Sequence, residues 1–236
     1  MTGTTIALVT GANKGIGLAT ARRFSQLGWT VVLGSRDVER GRAAAATLDG
    51  DVSVVQLDVT DDGSVAAAAK EVEQRHGRLD VLVNNAAVGG GWISALDCDP
   101  ETLRVTFETN VYGPVRVTKE FLPLLRRSAA PRIVMVSSGV GSLALTADLE
   151  RFASAPVALH YPASKTALNM ITSVYAKALP EFRVNAADPG FTATDLNGHR
   201  GTQTVEEGCA AIVTLATLPP DGPTGGFFDK DGPVPW

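Results

Sequence analysis

Tyr161 and Lys165 stand four residues apart in "YPASK", a step that puts both side chains on one face of a helix. A tyrosine hydroxyl titrates at about 10 when unperturbed, so proton exchange at neutral pH needs a nearby positive charge. Lys165 supplies one. Ser138 follows the apolar run "RIVMVS", where its hydroxyl can hydrogen-bond a carbonyl oxygen, and Asn110, within "FETNVYG", can hold a water against the lysine. These are the parts of an acid–base site for a carbonyl or an alcohol. A Tyr-x-x-x-Lys step alone would be an ordinary pair on a helix surface, and the presence of four pieces in this chain order weighs against that.

A second set of residues suits a negatively charged ligand. The stretch "TGANKGIG" carries Gly11, Gly15 and Gly17, with Asn13, Lys14 and Ile16 among them, between an apolar run and a helical pattern. Glycines let a backbone turn tightly and approach phosphate, and the N–H groups that open a helix attract an anion. The G-x-x-x-G-x-G spacing departs from the G-x-G-x-x-G fingerprint, and a turn needing positive φ at three positions would use the same glycines. The second strand ends "VVLGSRD", where an NAD site would place a carboxylate on the ribose 2′-OH. Ser35 occupies that place and Arg36 follows. With Lys14 in the glycine loop, two cations favour a 2′-phosphate, hence NADPH. Otherwise Arg36 begins a solvated helix face with Glu39 and Arg40, with Asp37 as the N-cap. The small-residue loop "NNAAVGGG" offers Asn85, Ala86 and Ala87 as a surface for adenosine or ribose, and Asp58 and Val59 are placed to border the adenine.

The elements that must position these groups alternate along the chain. Strands are expected over Thr5–Thr10, Thr30–Gly34, Val52–Leu57, Val81–Asn84, Arg132–Ser137 and Arg183–Asp188, each nearly continuous in apolar residues. Helices are expected over Ile16–Leu27, Val38–Leu48, Ser64–His76, Glu101–Arg127, Tyr161–Leu179 and Val205–Ala216. This β-α-β alternation predicts an α/β fold, a doubly wound parallel sheet with helices on both faces. At 236 residues, 44% hydrophobic and 19% charged, the chain fits one soluble domain over residues 1–236. A net charge of −4 without a dense Lys/Arg block argues against a nucleic-acid surface. Cys98 and Cys209 are far apart and suggest neither a disulfide framework nor a metal site. The start "MTGTTIALVTG" has no basic leader, and no apolar run is long enough to span a bilayer, so the cytoplasm is the expected location.

With these residues in place the chain resembles the short-chain dehydrogenase/reductase family over essentially its whole length, through "TGANKGIG", "DV" at Asp58, "NNAA", "TNVYG", "VSSGVG", "YPASK" and "DPGFTATD". Within the family it is most similar to the carbonyl-reductase branch, with "NKGIGLA", "LDVLVNNAA" and a "PTGGFF" tail. The resemblance implies a single-domain Rossmann fold. It further implies Tyr161 as general acid, Lys165 as ribose ligand and pKa-lowering charge, Ser138 as carbonyl orienter and Asn110 as part of a proton relay. Pro189, Gly190, Thr192 and Thr194 would border the nicotinamide and pyrophosphate. Ala87 replaces a family glycine. The interval of 23 residues from Ser138 to Tyr161 is longer than in tetrameric members and shorter than in carbonyl reductases, which favours a monomer.

The expected function is reduction of a small-molecule ketone or aldehyde by NADPH. The alternatives are the alcohol-oxidising direction and a non-enzymatic dinucleotide sensor, which would need the pocket but not the tyrosine. Trp92, Phe191, Leu196 and Trp236 are candidates for the substrate mouth, unless Trp236 only pins the C-terminus. His160 is read as packing and Cys209 as core. The segment Leu145–His160 is expected to close over the site as a lid, with Leu143, Leu145, Leu149 and Phe152 forming the inward face of a short amphipathic helix. The Gly/Pro-rich tail is expected to be a loop.

Overall fold

Strand β1 (Ile6–Thr10) is buried at all five positions, as a strand covered on both faces must be. The structure, a computed structural model, describes residues 4–148 and 157–236. Beside β1 run β2 (Thr30–Ser35), β3 (Val52–Gln56), β4 (Val81–Asn84), β5 (Arg132–Val136), β6 (Arg183–Ala187) and β7 (Phe227–Phe228). All neighbours pair parallel, in the order β3-β2-β1-β4-β5-β6-β7. The order reverses between β1 and β4, and such a reversal opens a crevice beyond the carboxyl ends of the strands.

The sheet's two faces carry separate cores. Ile6 and Leu8 of β1 join Leu82, Phe121, Ile133, Leu168 and Phe182 on one side, and Ala7 and Val9 join Phe24, Leu33, Val83 and Ile212 on the other. The first layer is built on α3 (Asp62–His76), α5 (Gly113–Leu125) and α7 (His160–Ala178), the second on α1 (Gly15–Gln26) and α9 (Ala210–Ala216). The remaining helices are α2 (Val38–Ala45), α4 (Pro100–Phe107), α6 (Leu143–Thr146) and α8 (Val205–Gly208).

The six strands expected from the sequence form within one residue at their ends. Three elements differ. The single helix expected over Glu101–Arg127 is α4 and α5 joined by a π turn, Glu108–Tyr112. Pro114 has no N–H to give the Asn110 carbonyl, so the α-helical bond there cannot form, and the Gly113 N–H reaches back to the Glu108 carbonyl instead. The helix expected over Val205–Ala216 divides at Cys209, which is buried as anticipated. The tail is not wholly loop, because Phe227 and Phe228 pair with Ala186 and Ala187 as β7. Trp236 stacks on Phe227 with ring centroids 5.6 Å apart and accepts from the Ala144 N–H, so it pins the C-terminus and does not border the cleft described below.

The ends of β1 and β4 are stapled where the order reverses. The buried Thr10 hydroxyl accepts from the backbone N–H groups of Asn85 and Ala86 at 2.9 and 3.0 Å. Asn85 Nδ2 donates to the carbonyls of Thr10 and Gly11. Thr10→Val keeps the shape and strands the Ala86 N–H, so urea denaturation is expected to show a loss of about 1–3 kcal/mol, largely restored in Thr10→Ser. An unchanged unfolding midpoint for Thr10→Val would contradict the staple.

Candidate active site

The crevice is a cleft of about 1190 Å³, larger than the roughly 300–1,000 Å³ typical of small-molecule pockets. Its floor at one end is the turn from β1 into α1. Gly11 and Gly15 have φ of +65° and +56°, which side-chain-bearing residues rarely adopt. Gly17 does not, and its requirement is space: a Cβ there would lie 2.5 Å from Asn85 Nδ2 and 2.7 Å from the Gly11 oxygen. So two of the three glycines serve the turn and the third serves close approach. No side chain caps α1 at Lys14, and its first turn holds no acidic residue. Free N–H groups without a competing carboxylate make an anion seat.

At the other end, the first turns of α7 carry Tyr161 and Lys165. Lys165 is 2% exposed, donates to the Val136 carbonyl at 2.8 Å, and holds Nζ 5.6 Å from the centre of the Tyr161 ring. Burial lowers its pKa to about 8, against an opposing pull from the Asp188 carboxylate. Tyr161 moves the opposite way from the expected depression. Removal from water pushes its pKa up to about 12, a hydrogen bond from Ser138 pulls back, and the charge of Asp188 adds to the rise. Desolvation of the phenolate outweighs the charge nearby, so the phenol is protonated throughout the neutral range.

All the residues singled out above for catalysis or cofactor binding border this one cleft, with the exception of Asn110. Asn110 is buried behind the wall: Oδ1 accepts from Val88 N–H, and Nδ2 donates to the Val88 carbonyl and to Ser164 Oγ. Its carboxamide is spent on holding the wall. Lys14 is likewise committed elsewhere, since its Nζ pairs with Asp195 at 2.5 Å instead of joining Arg36. The Ser35 hydroxyl is buried and donates to the Asp37 carbonyl. Asp37 caps α2 through the N–H groups of Glu39 and Arg40, and Arg36 has no hydrogen bond or ion pair among the described residues.

Asp188 and Asp195 went unassigned in the sequence because each is one carboxylate in "DPGFTATD", with nothing to mark its partner. Arg200 was also missed; its guanidinium lies 3.7 Å over the Trp92 ring at the mouth, where Phe191 and Leu196 are exposed as expected. Of the anticipated amphipathic lid, Leu143 is 68% exposed instead of turned inward, and Leu145 borders the cleft. Leu149 and Phe152 lie outside the described residues. Among the described residues no helix is long and apolar enough to cross a membrane, and no group of three side chains is placed to hold a metal ion.

A family model described as short chain dehydrogenase matches residues 5–204. The chain belongs to that family. As a short-chain dehydrogenase it is an oxidoreductase of nicotinamide dinucleotide type, within the carbonyl-reductase-like branch. It is similar to a (+)-neomenthol dehydrogenase of Arabidopsis thaliana, 36% identical over 95% of each chain. That alignment runs to 282 positions, more than the 236 residues here, so the relative carries segments without a counterpart in this chain. Salutaridine reductase from Papaver somniferum superposes with a TM-score of 0.81 at 31% identity, covering 94% of this chain and 99% of that one. An NADPH-bound carbonyl reductase from chicken fatty liver gives 0.86 at 27% identity over 99% of both.

Because the Gly17 position has no room for a methyl group, Gly17→Ala is expected to weaken dinucleotide binding by about tenfold or more, at least ~1.4 kcal/mol. Quenching of intrinsic fluorescence on titration reads this directly. An unchanged Kd would remove the glycine turn from the binding site.

Proposed function

We propose that this protein reduces a ketone or aldehyde with NADPH, Tyr161 giving the proton to the carbonyl oxygen. The observation that carries the proposal is the placement of the half-buried Tyr161 on the cleft wall beside Ser138 and the buried Lys165, where partial removal from water keeps the phenol protonated at neutral pH. A protonated phenol is an acid ready to donate.

The cradle fits a dinucleotide: an uncapped helix start for the pyrophosphate, and glycines where a Cβ would intrude. Gly11, Gly15 and Ile16 would hold the phosphates, Asp58 and Val59 the adenine, Asn85, Ala86 and Ala87 the adenosine ribose, and Pro189, Gly190, Thr192 and Thr194 the nicotinamide end. When bound, the cofactor supplies the hydride. The chain's own residues do the rest. Ser138 donates a hydrogen bond to the carbonyl oxygen and orients it. Tyr161 transfers its proton to that oxygen, and the Lys165 ammonium stabilises the phenolate left behind; its remaining N–H donors would hold the cofactor's ribose. Proton donation of this kind contributes about 10²–10⁴-fold, and holding the reactants in near-attack geometry contributes more. Every group in this scheme comes from one chain, and we propose the monomer as the working unit. The named relatives, a neomenthol dehydrogenase, a salutaridine reductase and an NADPH-bound carbonyl reductase, support the reaction class.

Cofactor preference rests on Arg36 in this proposal, since Lys14 is held by Asp195 and Ser35 by Asp37. A charge-assisted contact to phosphate is worth about 1.5–3 kcal/mol. Arg36→Ala is therefore expected to raise KM for NADPH by about tenfold or more and to leave NADH nearly unchanged. Equal losses for both cofactors would place the 2′-phosphate elsewhere.

The pH profile tests the electrostatics. Tyr161 keeps its proton up to about 12, so Lys165, with a pKa of about 8, is the group whose state changes first. Its charge is present below that value and lost above it. NADPH consumption with an aromatic ketone is expected to show kcat/KM level at lower pH and falling as pH rises through about 8. A profile that rose across that range would contradict the assignment, and NADPH binding without turnover of any carbonyl would favour a sensor.

A further inference from the structure

His160 is fully buried one residue before Tyr161, and both of its ring nitrogens are engaged. Nε2 lies 3.0 Å from the Gly89 carbonyl oxygen, which can only accept, so Nε2 carries a proton. Nδ1 faces the Cys98 thiol at 3.8 Å, and the sulfur, with one S–H to give, is also 3.8 Å from the Asp99 carbonyl. The ring sits where Gly90 leaves room: Gly90 has φ of +73°, and a Cβ there would come within 2.4 Å of His160 Cδ2. Asn110 grips Val88, the residue before Gly89, through both its N–H and its carbonyl, each at 2.9 Å. The same amide reaches Ser164 Oγ, which donates to the Tyr161 carbonyl at 2.7 Å.

Two clasps thus tie one cleft wall to the first turn of α7. The wall needs them, because Gly89, Gly90 and Gly91 have no side chains with which to fix their own conformation. We propose that His160 is a positioning residue: bonded to the Gly89 carbonyl and seated against Gly90, it holds the Val88–Gly91 wall at a set distance from the Tyr161 hydroxyl, so that a carbonyl against the wall meets the phenol in register. The inference rests on Tyr161 being the proton donor. A displacement of about 1 Å in such an arrangement can cost up to ~100-fold in rate without touching the reacting groups.

The test compares His160→Leu with His160→Gln, whose side-chain amide can still donate to the Gly89 carbonyl. In His160→Leu, kcat for an aromatic ketone is expected to fall about tenfold or more, with the Kd for NADPH unchanged and the Val88 amide exchanging hydrogen faster. His160→Gln is expected to recover most of the rate and the protection. Val88 bonds to Asn110 and not to His160, so its exchange reports movement of the wall. Retained kcat and protection in the leucine variant would overturn the proposal. So would parallel losses of rate and thermal stability in both variants with no recovery by glutamine, the pattern of simple packing. If the unaltered protein turned over no carbonyl, the reductase proposal would fail on its own, and exchange at Val88 would still decide the clasp: faster exchange in the leucine variant supports it, unchanged exchange overturns it.

Discussion

The packing of a half-buried phenol against a fully buried ammonium, side by side in one cleft wall, is the constraint on which the rest of this structure depends. Burial moves the two groups in opposite directions, Tyr161 up and Lys165 down, because each is driven toward its uncharged form. Such a pair persists only where the surrounding structure compensates. Lys165 keeps a carbonyl partner at Val136 and the attraction of Asp188, and Tyr161 keeps the Ser138 hydroxyl. Each of these partners comes from the carboxyl end of β5 or β6, so the sheet's parallel register is what brings them to α7.

The dinucleotide cradle obeys a different physics, that of exposed backbone N–H groups and absent side chains. Thr10 and Asn85 lock the ends of β1 and β4 together across the strand-order reversal, and the glycine turn is thereby fixed before any ligand arrives. The ion pair of Lys14 with Asp195, to which His199 adds a contact at 2.8 Å, joins the glycine turn to the loop that follows β6. The exposed Arg36 stands outside that pair.

The fold was legible because fully buried parallel strands write themselves as apolar runs, and helices between them keep a 3.6-residue period. The misses were local. "YGP" inside the helix expected over Glu101–Arg127 carries the signal for the π turn, because Pro114 has no N–H for the Asn110 carbonyl. The two-residue strand Phe227–Phe228 carries too little pattern to be told from a turn. The cleft residues were legible through motif context, but their electrostatics were not. A spacing of four predicts that Tyr161 and Lys165 meet, whereas the sign of the Tyr161 shift depends on water exclusion and on Asp188, which only the folded chain brings near. The carboxamide partners of Asn110, Val88 and Ser164, were not legible, because a carboxamide's four hydrogen bonds cannot be allotted from sequence.

The most direct test of the account is the single-turnover rate of hydride transfer in Tyr161→Phe, measured beside the dissociation constant for NADPH. The ring, its packing and the Lys165 contact survive this change, and only the proton donor is removed. The account predicts a rate reduced by about 10²–10⁴-fold with NADPH binding nearly unchanged. A phenylalanine variant that transferred hydride at close to the original rate would contradict it, since some other group would then have to protonate the product.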